Sequence, residues 1–260
     1  MDQSAAASVT PVKGMPLFRP GMSVAKELVD ALNRAGAVIR SDDICVLAQK
    51  IVSKMEGRLV LPESVEPGAD ALRIAEQTRR DPHTVQLIIS ESAELMRSRP
   101  EAIIARHRTG HVLANAGIDE SNVEAGEGGS VLLWPEDPDA SARNIRAEIE
   151  RLTGVRPAVL IADSMGRAWR IGTVGTAIGT AGITVLDDQR GTGKDMFGRT
   201  LQATIIAVAD SIAGMASLVM GEGAEGTPAA IVRGAGKWIS AEDGPGAVSG
   251  LRPVAQDMFR

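Results

Sequence analysis

Three acid-bearing stretches of this 260-residue chain have the residue types for chemistry: NAGIDESN at Asn115–Asn122, PEDPDASA at 135–142, and ADSMGRAWR at Ala162–Arg170. Each sets carboxylates beside small residues, hydroxyls or amides. Asp119, Ser121, Asn122, Asp163 and Ser164, with Glu222 further on, offer oxygen ligands alone, which suit Mg2+ or Mn2+ rather than Zn2+. A cation of that kind commonly arrives with phosphate. The competing reading is that Asp119 and Asp163 cap helices or close turns, and the sequence leaves both open. For Asp137 and Asp139 the cap is the better reading, with Asp139 or Ser141 opening a helix.

Cationic partners lie nearby in the sequence. Lys50 and Lys54, in KIVSK just past an apolar run, could reach a phosphate as point charges or stay solvated on a turn. Arg167 and Arg170 could clamp a phosphate or carboxylate, in competition with ordinary salt bridges, and Trp169 between them reads as packing. GxxxxGK[ST] does not occur, and the GxGxxG spelled by Gly221–Gly226 follows a helical run and precedes a strand instead of joining a strand to a helix, so a nucleotide here would bind in neither a P-loop nor a Rossmann manner. His83, His107 and His111 show no ligand spacing, and the RTG between the last two argues against a helical zinc pair. The single Cys45 lies in an apolar run and reads as a buried strand thiol, which fits a reducing cytoplasm.

The elements that must position these groups follow from periodicity. Residues 1–10 read as a flexible tail and 11–260 as one unit, with room for two intimate subdomains. GMPLFRPG at Gly14–Gly21 has the chemistry of a loop. Helical spacing is expected at Ser23–Ala35, Ala69–Arg79, Ser141–Thr153 (Arg143, Arg146 and Arg151 partly exposed) and Ala203–Met220. Extended segments are expected at Asp42–Ala48, Glu56–Leu61, Val85–Ile89, Ala102–Ala105, Val112–Ala114, Val131–Leu133, Pro157–Ala162, Ile178–Leu186 (with bends or bulges) and Ala229–Val232. Asp163 then stands at a strand's carboxyl end, where α/β proteins commonly place ligand groups. The glycine runs at 124–130 and Gly221–Gly226 read as loops, the first of them mobile. Helices and strands alternate irregularly, which predicts a mixed α/β or α+β fold.

Composition excludes some partners. A net charge of -5, with 3 Trp, 3 Phe and no Tyr, gives nucleic acid neither a basic surface nor stacking platforms. The N-terminus lacks a charged region followed by an apolar one, so no signal peptide is expected. The apolar stretch Ala203–Met220 contains Asp210, Ser211 and Ser217, and reads as a buried or amphipathic helix rather than a membrane span.

From about Gly14 to Gly234 the chain resembles the coenzyme F420-0:L-glutamate ligase (coenzyme F420 γ-glutamyl ligase) family in its single-domain form. GMPLFRPG, QKIVSKMEGRLV, HVLANAGIDESN, PEDPDASA, DSMGRAWRIG, AIGTAGI, FGRTL and MGEGAEGTP carry the likeness, in order. The resemblance implies an unusual α/β (mixed α+β) fold forming an intertwined homodimer. It implies a GTP- and metal-dependent ligase that joins L-glutamate to the lactyl carboxylate of the F420 precursor, with further γ-linked glutamates to follow. Met15, Pro16, Leu17, Phe18, Gln49, Lys54, Asn122 and the loop Met220, Gly221, Glu222, Gly223, Ala224, Glu225, Gly226 and Thr227 would then meet GTP. Asp119 and Asp163 would hold one Mg2+ or Mn2+, Ser164 and Glu222 a second, with K+ as a further candidate ion. The chain departs from the family's pattern at Trp134, where leucine is common, at Gly175-Thr176, and in a longer RGTGKD turn at 190–195. Those departures bear on the acceptor more than on phosphoryl chemistry. A paralogue that uses another carboxylate or amine, or a non-catalytic GTP-binding dimer, therefore stays open.

Overall fold

The computed structural model describes residues 6–123 and 129–258. Its centre is a five-stranded sheet built from the most apolar runs of the chain. The strands are β1 (Ser8–Pro11), β2 (Ile44–Ala48), β8 (Ala158–Arg167), β9 (Arg170–Ala181) and β12 (Ala229–Arg233), in the order β1-β12-β2-β8-β9. Only β2 and β8 run parallel, Ile44 opposite Ala158 through Ala48 opposite Ala162. Because side chains alternate across a strand, each strand feeds two cores. Cys45, Leu47, Val159 and Ile161 face one side, with α1 (Val24–Arg34) and α5 (Pro138–Thr153). Ile44, Val46, Leu160 and Val232 face the other, with α6 (Val208–Met220).

Local chemistry sets the helix ends. Ser23 caps α1 by accepting the Lys26 N–H at 3.0 Å. Asp137 caps α5 by accepting the Ala140 N–H at 2.9 Å, Pro138 fills the first turn, and Gly154 ends the helix in a left-handed conformation. The cap is thus Asp137, not Asp139 or Ser141. Asp139 is instead buried, and its carboxylate gathers the N–H groups of Thr180 and Ala247 at 2.8 and 2.7 Å. Arg146 departs further from expectation: it is 1% exposed rather than partly exposed.

A smaller lobe is formed by residues 59–123 and 129–133. It holds α3 (Ala69–Thr78), α4 (Pro82–Ser90), the sheet β4 (Ser92–Arg99), β5 (Ala102–His107) and β6 (Val112–Ala114), and the pair β3 (Leu59–Val60) and β7 (Val131–Leu132). Val85–Ile89 is helical here, not extended. Asp81 accepts the Thr84 N–H at 2.7 Å and Pro82 starts the helix, so Val85 and Ile88 fall on one buried face. The aliphatic run mimicked a strand because buried helix and strand share a composition.

Other boundaries move for tertiary reasons. Gln49–Met55 is a helix, α2, rather than a turn. Of Glu56–Leu61 only Leu59–Val60 pairs as a strand. Ser8–Thr10 belong to β1, held on β12, rather than to a tail; residues 1–5 lie outside the described part. The expected helix Ala203–Met220 begins only at Val208, after β11 (Ile205–Ala207), which pairs with β10 (Leu186–Asp188). The expected mobile loop at 124–130 falls, for residues 124–128, outside the described residues. The chain is mixed α+β, as its pattern predicts.

The expected bulge lies at Ile178, the first residue of the segment where it was read, although the strand ends at Ala181 and Leu186 belongs to β10. Ile161 pairs with Gly179 but Ala162 with Ala177, so β9 carries one extra residue beside Asp163. Gly175 in β9 stands where α6 comes close to the sheet. A Cβ there would collide with Ser217 Oγ and stand 2.5 Å from the Ala213 carbonyl oxygen, both on α6. Gly175→Ala should lower stability by about 1–3 kcal/mol in urea unfolding, by pushing α6 off the sheet. An unchanged unfolding midpoint would contradict that close approach.

Candidate functional site

The parallel pair ends at Ala48 and Ala162, and the residues just beyond them, Gln49 and Asp163, open into a cleft of about 350 Å³. That volume suits a nucleotide-sized ligand. Met15–Phe18, ahead of α1, form one wall; the loop Met220–Thr227, between α6 and β12, forms another. Gln49, Lys50, Lys54, Asn122, Asp163 and Ser164 line the remainder. Residues more than 200 positions apart in sequence therefore share one space. The Ala48 N–H donates to the Pro228 carbonyl at 2.8 Å, tying the glycine loop's exit to the end of β2.

Asp163 is not at the end of its strand, as the sequence suggested. Strand β8 continues to Arg167 in an antiparallel hairpin with β9, so Asp163 and Ser164 stand on a rigid ribbon. Asp163 Oδ2 accepts the Trp134 indole N–H at 2.8 Å, and Oδ1 accepts the Ser164 N–H at 2.8 Å. Burial pushes its carboxyl up to about 6 against those two bonds, with the negative charge of Asp119 adding to the rise. Asp119 sits in an isolated bridge to Leu132. Burial raises its pKa too, but the Lys50 ammonium at 2.7 Å and the N–H of Ser121 outweigh it, and the net shift is downward.

Lys50 thus stands as the cation paired with Asp119, and its charge also acts on Asp163. Its Nζ also donates to the Ser121 hydroxyl at 2.7 Å and carbonyl at 3.2 Å. Among the described residues no three acidic, histidine or cysteine side chains converge. Asp163 and Ser164 line the cleft while Asp119 lies beside it, paired with Lys50; the donor types, carboxylates with a hydroxyl, suit Mg2+ or Mn2+, which typically take one or two carboxylates and complete their shell with phosphate oxygens and water. Zinc and the soft metals have no ligand set here.

The far side of the cleft sets Lys54 and the glycine loop's backbone beside Glu222 and Glu225. Lys54 Nζ donates to the Asn122 carbonyl at 2.8 Å, and Asn122 Nδ2 donates to the Gly223 carbonyl at 3.1 Å, drawing three segments together. Gly221 ends α6 at φ 75, and the Gly223 N–H donates to Glu225 Oε2 at 2.8 Å. That carboxylate stands where another anion could take the same donor. Gln49 is 1% exposed, and its Oε1 has no hydrogen-bond partner while its Nε2 donates to Ser53 Oγ at 2.5 Å.

Arg167 and Arg170 do not reach this cleft within one chain. They flank the exposed tip of the β8–β9 hairpin, and Trp169 there is 89% exposed instead of packed. Sequence reasoning missed the role of Trp134, which is 0% exposed and contacts Asp163 directly. Nothing in VLLWP distinguishes it from ordinary core. His107 and His111 form no metal pair. They are buried against Trp134, with ring centroids at 5.0 and 5.4 Å, and both Nδ1 atoms meet Thr109 Oγ1 at 2.9 Å. Burial, aided by neighbouring His107 and opposed by the Ala177 backbone, pushes His111 down to about 4. Cys45 is buried in β2, and burial pushes its thiol far up, which removes it as a nucleophile.

The chain is similar in sequence to known proteins of one family. The sequence model of the F420-0:Gamma-glutamyl ligase family matches residues 14–234. A coenzyme F420:L-glutamate ligase of Methanothermobacter thermautotrophicus is 43% identical over 253 residues, 97% of this chain and 98% of its own. Its counterpart in Methanocaldococcus jannaschii is 41% identical over 95% of this chain and 94% of its own. That of Methanopyrus kandleri is 40% identical over 97% of both. Among the described residues, no helix is long and apolar enough to cross a membrane.

Proposed function

This chain belongs to the F420-0:gamma-glutamyl ligase family, and we propose that it joins L-glutamate to the lactyl carboxylate of the coenzyme F420 precursor, F420-0, at the expense of GTP. Further γ-linked glutamates would extend the same product. The observation that carries this reading is the single cleft in which Lys50, Lys54, Asn122, Asp163, Ser164 and the glycine loop converge. It combines oxygen ligands for a hard cation with cations and backbone donors for phosphate.

A free carboxylate is a poor acylating agent, because its charge repels an incoming amine. In the proposed reaction a lactyl carboxylate oxygen attacks the γ-phosphorus of GTP, the bond to the β-phosphate oxygen breaks, and GDP leaves. The resulting acyl phosphate is attacked by the neutral amine of glutamate. The amide C–N bond forms, inorganic phosphate departs, and the amine releases a proton. A divalent cation at Asp119 and Asp163, with a second at Ser164 and Glu222, would neutralise phosphate charge and align the γ-phosphoryl group. Lys54 would offset remaining negative charge, and Met15–Phe18 with Gln49 would frame the nucleotide. Confinement of both reactants in one cleft supplies the orientation that amide formation needs.

The same reading includes a homodimer. Trp169 and Ile171 at the hairpin tip are 89% and 102% exposed, and Met196 and Phe197 in the 189–204 loop are exposed beyond 80%. Such apolar groups on a projecting arm support burial against a second copy. That arrangement would give Arg167 and Arg170 a neighbour that one chain does not.

The test is direct. The protein is incubated with F420-0, GTP, Mn2+ and L-glutamate, and products are followed by mass spectrometry. Successive glutamyl additions with matching GDP release are expected. Unchanged F420-0 overturns the acceptor assignment where GTP is still hydrolysed on another carboxylate. It overturns the ligase reading where no GTP is consumed.

A further inference from the structure

Trp134 is the largest side chain with no exposed surface, and it touches both acid-bearing segments of the cleft. Its Nε1 donates to Asp163 Oδ2 at 2.8 Å, while the Ser164 N–H holds Oδ1. Both carboxylate oxygens are therefore fixed, one by backbone and one by an indole. The indole in turn has little freedom. The rings of His107 and His111 pack against it, tilted at 52° and 75°, and its own carbonyl accepts Arg58 Nε at 2.8 Å.

The Asp119 segment rests on the same ring. Asn115, Ala116 and Gly117 follow one another in left-handed conformations, at φ 54, 51 and 76. A Cβ on Gly117 would stand 2.6 Å from Trp134 Cε2 and 2.8 Å from Cδ1, so only glycine lets the turn lie flat on the indole. Two residues later, Asp119 exchanges both backbone hydrogen bonds with Leu132, at 3.0 and 2.8 Å. Leu132 precedes Trp134 by two positions. One short segment, Leu132–Trp134, thus places Asp119 through its backbone and Asp163 through its indole.

We propose that Trp134 is a positioning residue for the divalent cation, its indole N–H fixing the Asp163 carboxylate and its ring face setting the turn that delivers Asp119. The proposal rests on the reading that these two aspartates share a metal. Phenylalanine would keep most of the packing and donate nothing; leucine would also leave the Gly117 turn without a platform. Groups that orient a metal ligand typically change metal affinity ten- to hundredfold when removed.

The experiment is Mn2+ binding to the protein alone, followed by electron paramagnetic resonance. It compares the unmodified chain, Trp134→Phe, Asp163→Asn, and a chain whose Trp134 alone is replaced by its benzothiophene isostere, which keeps the shape and lacks the N–H. Melting temperatures are measured alongside. Expected is a roughly ten- to hundredfold weaker Mn2+ affinity in both Trp134 substitutions, with the isostere melting close to the unmodified protein. In an Asp163→Asn background the isostere should change residual binding no further. Unmodified Mn2+ affinity in the isostere overturns the positioning role, even where Trp134→Phe fails to fold. Failure of the unmodified protein to bind Mn2+, or equal binding by Asp163→Asn, overturns the metal reading instead.

Discussion

Asp163→Asn should reduce glutamyl ligation by roughly 10²–10³-fold or more while the chain stays folded, since one charged oxygen ligand is lost from a site whose work is electrostatic. The expectation of an intact fold has its own physical basis. Burial already disfavours the ionised carboxyl, whose pKa is pushed up to about 6. Asparagine removes that charge yet keeps the shape. Its amide oxygen can still accept one of the two donors, the Trp134 indole or the Ser164 N–H, and the other donor loses its partner. The lost acceptor and the relieved charge oppose each other, so the melting temperature should move by only about 3 °C. Mass spectrometry of the product and calorimetry of the variant check the two halves separately. Wild-type turnover by Asp163→Asn at limiting Mn2+ would sink the assignment; a collapsed melting temperature would mean that the aspartate is structural. Asp119→Asn should lose activity similarly and also loosen Lys50, whose ammonium would lose its ionic partner at 2.7 Å and keep its bonds to Ser121.

Arg146→Met should be the most damaging substitution for stability. Arg146 is buried in α5 and donates to the carbonyls of Pro157, Ser240 and Ala241 and to Asp243 Oδ1 at 2.7 Å. Those partners include the C-terminal segment beyond residue 234, outside the stretch matched by the family's sequence model. Methionine keeps the stem but strands three carbonyls and leaves Asp243 with Arg156 alone, a loss of about 3–5 kcal/mol. Urea unfolding at neutral pH measures it. Acid should narrow the gap. Burial raises the Asp243 pKa, but Arg146 and Arg156 outweigh it, and the folded carboxyl lies below its ordinary value. A group depressed in this way stabilises the fold above its unfolded pKa, near 3.8, and that contribution is lost as pH falls through the folded value. The difference between Arg146→Met and the unmodified chain should therefore shrink below about pH 4. A difference under about 1 kcal/mol at pH 7 would show that the segment is held by other means.

Much of the cleft could be read from the chain. Met15–Phe18, Gln49, Lys54, Asn122, Asp163, Ser164 and Met220–Thr227 were singled out from sequence and line the same space. Lys54, Asn122, Asp163 and Ser164 could be found because such groups sit in short motifs at the ends of unmistakably apolar strands such as ICVLA and AVLIA, whereas Gln49 and the loop Met220–Thr227 were reached through the family resemblance. Arg167 and Arg170 belong to an equally recognisable motif, yet hairpin β8–β9 carries them away from the cleft to its exposed tip. Composition cannot tell where a hairpin turns.

What the sequence determined by itself was local: apolar strands, capped helices, the glycine loop and the oxygen-bearing residues that border them, all set by backbone preferences within a few positions. Only the tertiary structure decided that Arg146 is interior, that Val85–Ile89 coils rather than extends, and that Trp134 holds Asp163. Each depends on a partner the local pattern does not contain: carbonyls about 95 residues away for Arg146, a packed lobe for α4, and a carboxylate 29 residues on for Trp134. A long-range hydrogen bond leaves no periodicity in the chain, so it becomes visible only when folding has brought its two ends together.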